Sequence, residues 1–112
     1  MKVIHVLLLA IVLFGCSVIA GAKPVDPRIG RAVQRFTDKN SQGIGKVKIT
    51  SSDVRGNWAL IWAESLKKQA DPAQYLLRKE KGVWKVLVMG TALIGTGEEY
   101  KVPTDLRRKW NL

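Results

Sequence analysis

Cysteine and histidine are almost missing from this chain of 112 residues: it has one Cys, at position 16, and one His, at position 5. A lone Cys cannot close an intramolecular disulfide. Most transition-metal sites draw on imidazole or thiolate, and Ser-His or Cys-His nucleophile pairs need an imidazole base. His5 lies in the first apolar run, so removal of that run as an export segment leaves a domain with no His and no unmodified thiol. Acidic residues are also scarce, nine Asp and Glu against nineteen Lys and Arg. A two-carboxylate mechanism has few groups to use, Glu64, Glu98 and Glu99 among them, and the last two suit the first turn of a helix, where they complement its dipole. The glycine pairs in "GIG" (43–45) and "GTG" (95–97) lack the spacing of a phosphate loop or dinucleotide fingerprint. The expectation is a non-enzymatic protein with no cofactor and no metal.

The one long apolar run stands at the start. Lys2 precedes "VIHVLLLAIVLF" (3–14), small residues follow at Gly15, Ala20, Gly21 and Ala22, and polarity switches at Lys23, Pro24 and Asp26. This is the layout of an export signal. Three fates are open to it. "LFGC" (13–16) resembles the bacterial lipobox, in which a small residue precedes a Cys that becomes lipidated. "AGA" (20–22) is an ordinary A-x-A cleavage site. Residues 3–22 also approach the length of a membrane span, though His5, the glycines and Ser17 suit one poorly. The first fate is preferred, with Cys16 as the lipidation site. The chain is thus divided into an export signal (1–22) and a single small domain (23–112). Its expected location is the periplasm or outer membrane, lipid-anchored, with soluble secretion as the alternative.

Asp26-Pro27 has the form of a helix N-cap followed by Pro at the first helical position. Ile29, Val33 and Phe36 recur at helical spacing through "RIGRAVQRF", and the polar "DKNSQGIG" (38–45) ends that helix. "KVKIT" alternates, with Val47 and Ile49 on one face. "RGN" (55–57) signals a turn, and Trp58, Leu60 and Trp62 then share a strand face. Residues 73–89, "AQYLLRKEKGVWKVLVM", predict a β-hairpin about Lys81-Gly82 with two registers open. A two-residue turn pairs Leu77 with Val86 and Tyr75 with Val88, and sets Arg78 against Lys85, a like-charge pair. A three-residue loop pairs Arg78 with Trp84 and Leu76 with Val86. Either way Trp84, Val86 and Val88 are expected on one core-facing side. Residues 90–97 read as a loop, "TGEE" (96–99) has the spacing of a capping box, and "PTDLRRKW" starts a last helix with Leu106 and Trp110 on one side. The expected fold class is α+β: a three- to four-stranded antiparallel meander with an N-terminal helix and short C-terminal helices, the helices packed on one face. All four Trp, at 58, 62, 84 and 110, are expected in the core of so small a domain.

"YLLRKEKGVWKVLV" (75–88), a Gly-rich stretch and "KVPTDL" (101–106) resemble the second half of small exported bacterial proteins of unassigned function. Those proteins share a "WAL" strand, a Trp-bearing hairpin and a closing Val-Pro helix. The hairpin is also similar to the last strands of cystatin-like and nuclear-transport-factor-like folds. The resemblance covers roughly the second half of the chain. It implies export and an α+β architecture, and no catalytic residue.

The formal net charge is +10, and loss of residues 1–22 removes only Lys2 and Lys2's single charge from it. Arg28, Arg31 and Arg35 form a stripe on the first helix, Lys79 and Lys85 flank the hairpin, and Arg107 and Arg108 sit on the last helix. These seven are the candidate anion-binding residues. Such an excess predicts salt-dependent binding of polyanions. Export, and the lack of a recognised motif, argue against nucleic acid as the partner. The remaining partners are phospholipid headgroups, lipopolysaccharide phosphates and acidic wall polymers. A lipid on Cys16 with the basic stripe behind it is a two-signal attachment. The expected function is a non-enzymatic envelope module on an anionic surface. The alternative is a periplasmic inhibitor or assembly factor that docks an acidic protein. An apolar patch ringed by Arg favours the alternative; diffuse charge favours the surface.

Overall fold

The fold is that of a computed structural model, which describes residues 25–41, 43–67 and 71–112. The export segment and Cys16 lie outside the described residues. Helix α1, Pro27–Asn40, starts where the sequence predicts. The Asp26 carboxylate accepts the Arg28 backbone N–H at 2.9 Å, and Pro27 occupies the first turn, where its missing N–H costs nothing. Ile29, Ala32, Val33 and Thr37 are its buried side. The helix runs further into the polar segment than periodicity suggests. Local side-chain bonds carry it: the Gln34 amide donates to the Asp38 carboxylate at 2.9 Å, and the Asn40 amide to the Phe36 carbonyl at 2.9 Å. Gln34 also donates to the Gly45 carbonyl and accepts the Val47 N–H, each at 3.0 Å, which ties α1 to the first strand.

Strands β1 (Val47–Arg55), β2 (Trp58–Ser65), β3 (Ala73–Glu80) and β4 (Val83–Gly90) form a four-stranded antiparallel sheet in chain order. The architecture is α+β, a meander with an N-terminal helix and two short C-terminal helices, α2 (Thr96–Glu99) and α3 (Thr104–Trp110). The β1 edge is broken by a register shift between Ile49 and Ser51, an irregularity that blunts an open edge against pairing with another chain. α1 lies chiefly over β4.

The helices do not share a face. α1 covers one side of the sheet, packing Ile29 and Val33 on Ala59, Ile61, Leu77 and Trp84. The C-terminal segment covers the other, packing Leu93, Val102 and Trp110 on Leu60 and Leu76. This corrects the expectation of one covered face. The reason is in the central strands, where neighbours as well as alternates are apolar. Leu60 and Ile61 are both buried, and so are Tyr75, Leu76 and Leu77. Strands of that kind need cover on both sides.

The hairpin takes the two-residue turn. Lys81 (φ 53°) and Gly82 (φ 80°) both have positive φ, as a type I′ turn requires, and Leu77 pairs with Val86 and Arg78 with Lys85. Glu80 eases the like-charge pair, lying 3.5 Å from both Arg78 and Lys85. The register then slips: Leu76 pairs with Val88 and Tyr75 with Met89, so Leu87 is an extra residue. Trp84 and Val86 therefore face α1, whereas Val88 faces the C-terminal layer. The expected common face fails at Val88 because a bulge reverses the alternation beyond it. Trp84 and Trp110 are buried, while Trp58 and Trp62 are only half-buried. The capping box does not form either. Gly95 is the N-cap of α2, and the Thr96 hydroxyl donates back to the Leu93 carbonyl at 2.7 Å.

Candidate anion-binding surface

Three of the seven candidates come together. Arg28, Arg31 and Arg35 line one groove with Gly82, Val83 and Trp84, so the basic side of α1 stands against the tip of the β3–β4 hairpin. The helix places them at three- and four-residue intervals, one stripe of its surface. Arg28 is committed to Asp26: its Nη2 lies 2.8 Å from Oδ2 and its Nε 3.2 Å from Oδ1. These side-chain bonds, with the Arg28 backbone N–H, hold the Asp26 carboxyl down at about 2, and the Lys79 charge adds to the effect. Arg31 and Arg35 are exposed and form no ion pair among the described residues. They are the open cations of the groove. Val83, just over half exposed at 53%, is an apolar side chain beside them.

Lys79 reaches the same end of the fold from β3. Its ammonium lies 5.5 Å from the Trp84 ring centroid, a cation–π distance. Together with Asp26 and Trp84 it lines a second groove beside the first, walled by the end of β1. Lys85, Arg107 and Arg108 belong elsewhere. Lys85 pairs with Arg78 across the hairpin, and Arg78 in turn pairs with Trp58, whose side chain packs with the C-terminal layer. Arg107 is half-buried and bonds the Thr104 hydroxyl at 3.3 Å, while Arg108 is exposed. The seven candidates thus divide between the two faces of the sheet rather than forming one surface. Helical periodicity could place the α1 stripe. Nothing local to "RRK" could tell which side of the sheet the last helix would cover.

Sequence reasoning missed Asp53. Its carboxylate accepts the Trp110 indole N–H at 2.9 Å and the Arg55 Nε–H at 2.7 Å, and so links β1 to α3 across 57 residues. Burial opposes its charged form. The bonds from Trp110 and Arg55, aided by the charges of Arg55 and Lys109, outweigh burial and hold the carboxyl below its usual range. Sequence reasoning also missed a mostly apolar cavity of about 250 Å3 at the C-terminal end of α1, walled by Val47, Ala63, Ala73 and Met89. Thr37 and Tyr75 meet there with their hydroxyl oxygens 2.7 Å apart. Thr37 donates to the Val33 carbonyl at 2.8 Å, so Tyr75 must donate to Thr37, since a hydroxyl carries one hydrogen. The pair satisfies itself.

Among the described residues no group of three or more His, Cys, Asp or Glu could hold a metal ion, and no helix is long and apolar enough to cross a membrane. No protein-family model, curated protein or solved structure matches the chain.

Proposed function

We propose that this protein is a non-enzymatic module of the bacterial cell envelope, exported and lipid-anchored through Cys16, whose α1–hairpin end sits on an anionic surface of phospholipid headgroups, lipopolysaccharide or wall polymer. The observation that carries this reading is the groove in which Arg31 and Arg35 stand open beside Val83, at the end of the domain where the chain enters α1. An anchor at residue 16 brings that end to the surface first. There Val83 offers an apolar tip to the headgroup boundary and the arginines offer charge, two weak signals that add to the lipid chain.

The alternative, docking of an acidic protein, draws on an apolar patch ringed by Arg. The exposed large apolar side chains Val54, Leu66, Val83 and Ile94 lie on separate parts of the chain, in β1, after β2, in β4 and after β4. Val54 and Val83 line neighbouring grooves at the Arg31–Arg35 end, but two valines fall short of the contiguous apolar patch that marks a protein interface. That distribution favours the anionic surface.

Vesicle binding by a chain beginning at Lys23, which retains every described element, tests the reading without the lipid. Arg31→Gln with Arg35→Gln should leave the fold intact, since both side chains are exposed. Binding to phosphatidylglycerol-rich vesicles should weaken by about 1 kcal/mol per cation at low salt, and the difference should fade as salt rises. Neutral vesicles should not distinguish the variants. Equal binding of anionic vesicles by the double variant and the parent protein refutes the reading.

A further inference from the structure

Two lysines sit where the backbone asks for glycine. Lys81 is the first central residue of the type I′ turn, at φ 53°, a position dominated by Asn, Asp and Gly. Lys101, at φ 60°, follows α2. Its N–H bonds the Glu98 carbonyl at 3.2 Å and the Val102 N–H bonds the Gly97 carbonyl at 2.8 Å. That is a Schellman motif with Lys101 at the residue where Gly is the usual occupant. A Cβ in the left-handed region is strained, and such strain persists where the residue has another use.

Both lysines line the same groove. It is an open groove of about 740 Å3 between the β1–β2 turn, the β3–β4 turn and the turn after α2, and Asn57, Trp58, Arg78, Lys79 and Glu80 complete it. Its walls are fixed. The Asn57 carbonyl accepts the Lys79 N–H at 2.7 Å, which joins the two turns. The Arg78 guanidinium lies 5.5 Å from the Trp58 ring centroid, held as a planar cation on an aromatic shelf. Glu80 is the one acidic residue of the groove, and it stands between Arg78 and Lys85. Lys81 and Lys101 form no ion pair among the described residues. None of these three cations belongs to the Arg31–Arg35 groove.

We infer that Arg78, Lys81 and Lys101 form a phosphate-binding site, with Arg78 as the planar donor and the two lysines as point charges that close on a phosphate group. The chemistry suits a phosphomonoester or phosphodiester carried by a lipid headgroup or by a phosphorylated polymer. The site deepens the anionic-surface reading, on which its setting rests, by naming the group recognised.

The test measures binding of the purified whole chain to two probes, inorganic polyphosphate in solution and phosphatidylglycerol vesicles, over a range of salt. The variants are Lys81→Gly with Lys101→Gly, Lys81→Gln with Lys101→Gln, and Arg31→Gln with Arg35→Gln as the independent control. The glycine pair should melt no lower than the parent protein, because it relieves two left-handed side chains. Both lysine pairs should bind at least one probe about tenfold or more weakly near 50 mM salt, with the log–log salt slope shallower by about one per lysine. Loss confined to vesicles assigns the phosphate to a headgroup, loss confined to polyphosphate assigns it to a polymer, and loss in both arms supports a general phosphate site. Arg31→Gln with Arg35→Gln removes the same number of charges from the other groove, so it should weaken binding of both probes by charge alone, and by less than the lysine pairs on the probe that the site recognises. Equal loss in all three pairs on both probes overturns the site. Unchanged affinity and slope in both lysine pairs, for both probes, overturns the site. Loss in the glycine pair together with a lower melting temperature, while the glutamine pair binds as the parent does, overturns it equally.

Discussion

Asp53 shows how one carboxylate can hold two layers of a small protein together. It stands on the outermost strand, yet its partners are a neighbour in β1 and an indole in the last helix. Removing its charge leaves buried Trp110 with a weaker acceptor and Arg55 without a counter-ion. Asp26 does similar work at the start of α1, where it accepts both the first-turn N–H and the Arg28 guanidinium. Both carboxyls are depressed in the folded chain, Asp26 to about 2. A depressed carboxyl stabilises the fold fully above its unfolded pKa, about 3.9 for Asp, and that contribution is lost as pH falls through the folded value. Melting temperature should therefore fall as pH drops from 5 towards 2, an interval set by those about-2 and about-3.9 limits. The double variant Asp26→Asn with Asp53→Asn removes both charges and leaves each side chain one acceptor oxygen where the carboxylate uses two. It should melt lower than the parent near pH 7 and converge on it at acid pH. Two parallel melting curves over that range would exclude this linkage.

Among the elements, the short C-terminal helices depend most on one residue. Gly97 sits in α2 with Arg107 and Leu112 pressed against it: an added Cβ would lie 2.5 Å from the Arg107 Cγ and 2.9 Å from the Leu112 Cβ. The last residue closes the unit, its carbonyl accepting the Gly95 N–H at 2.9 Å while its own N–H bonds the Arg107 carbonyl at 2.9 Å. Gly97→Ala has the better helix propensity but no room. Overpacking of this kind costs roughly 1–3 kcal/mol, more than the ~1 kcal/mol that propensity returns. The variant should unfold at lower urea than the parent, with an unchanged slope. A midpoint at or above the parent's would show that Arg107 swings away freely. "TGEE" looks like a capping box in one dimension, and the real constraint at Gly97 comes from residues 107 and 112.

For the whole molecule the important fact is direction. Both hairpin turns, the start of α1 and the grooves that carry Arg31, Lys79, Lys81 and Lys101 meet at one end of the sheet. The self-satisfied Thr37–Tyr75 cavity opens where the other end of α1 meets the sheet. The proposed anchor at Cys16 would join the chain at this basic end, where α1 begins. Cys16→Ala should move the protein from the membrane fraction of the envelope to the soluble fraction, most completely at high salt, where the Arg31–Arg35 contribution is screened. A parent protein that is already soluble and begins at Lys23 would rule the lipid out.

Local chemistry alone determined several features. Asp26-Pro27 placed the helix start, since capping needs only neighbouring residues. Gly82 marked the hairpin turn, since positive φ favours glycine, but left the two- and three-residue registers open. The apolar spacing of Ile29 and Val33, and of Leu106 and Trp110, picked their buried sides. Tertiary structure decided what depends on distance. The run Tyr75-Leu76-Leu77 already carried the sign of a strand covered twice, but which helix took which face was settled by packing. The bulge at Leu87 followed the two-sided cover, because its side chain and that of Val88 both found the C-terminal layer. The Asp53–Trp110 bond, and the meeting of Lys81 with Lys101 in one groove, join residues far apart in the chain. No periodicity encodes such pairs, because the energy that brings them together is burial of the layers between them.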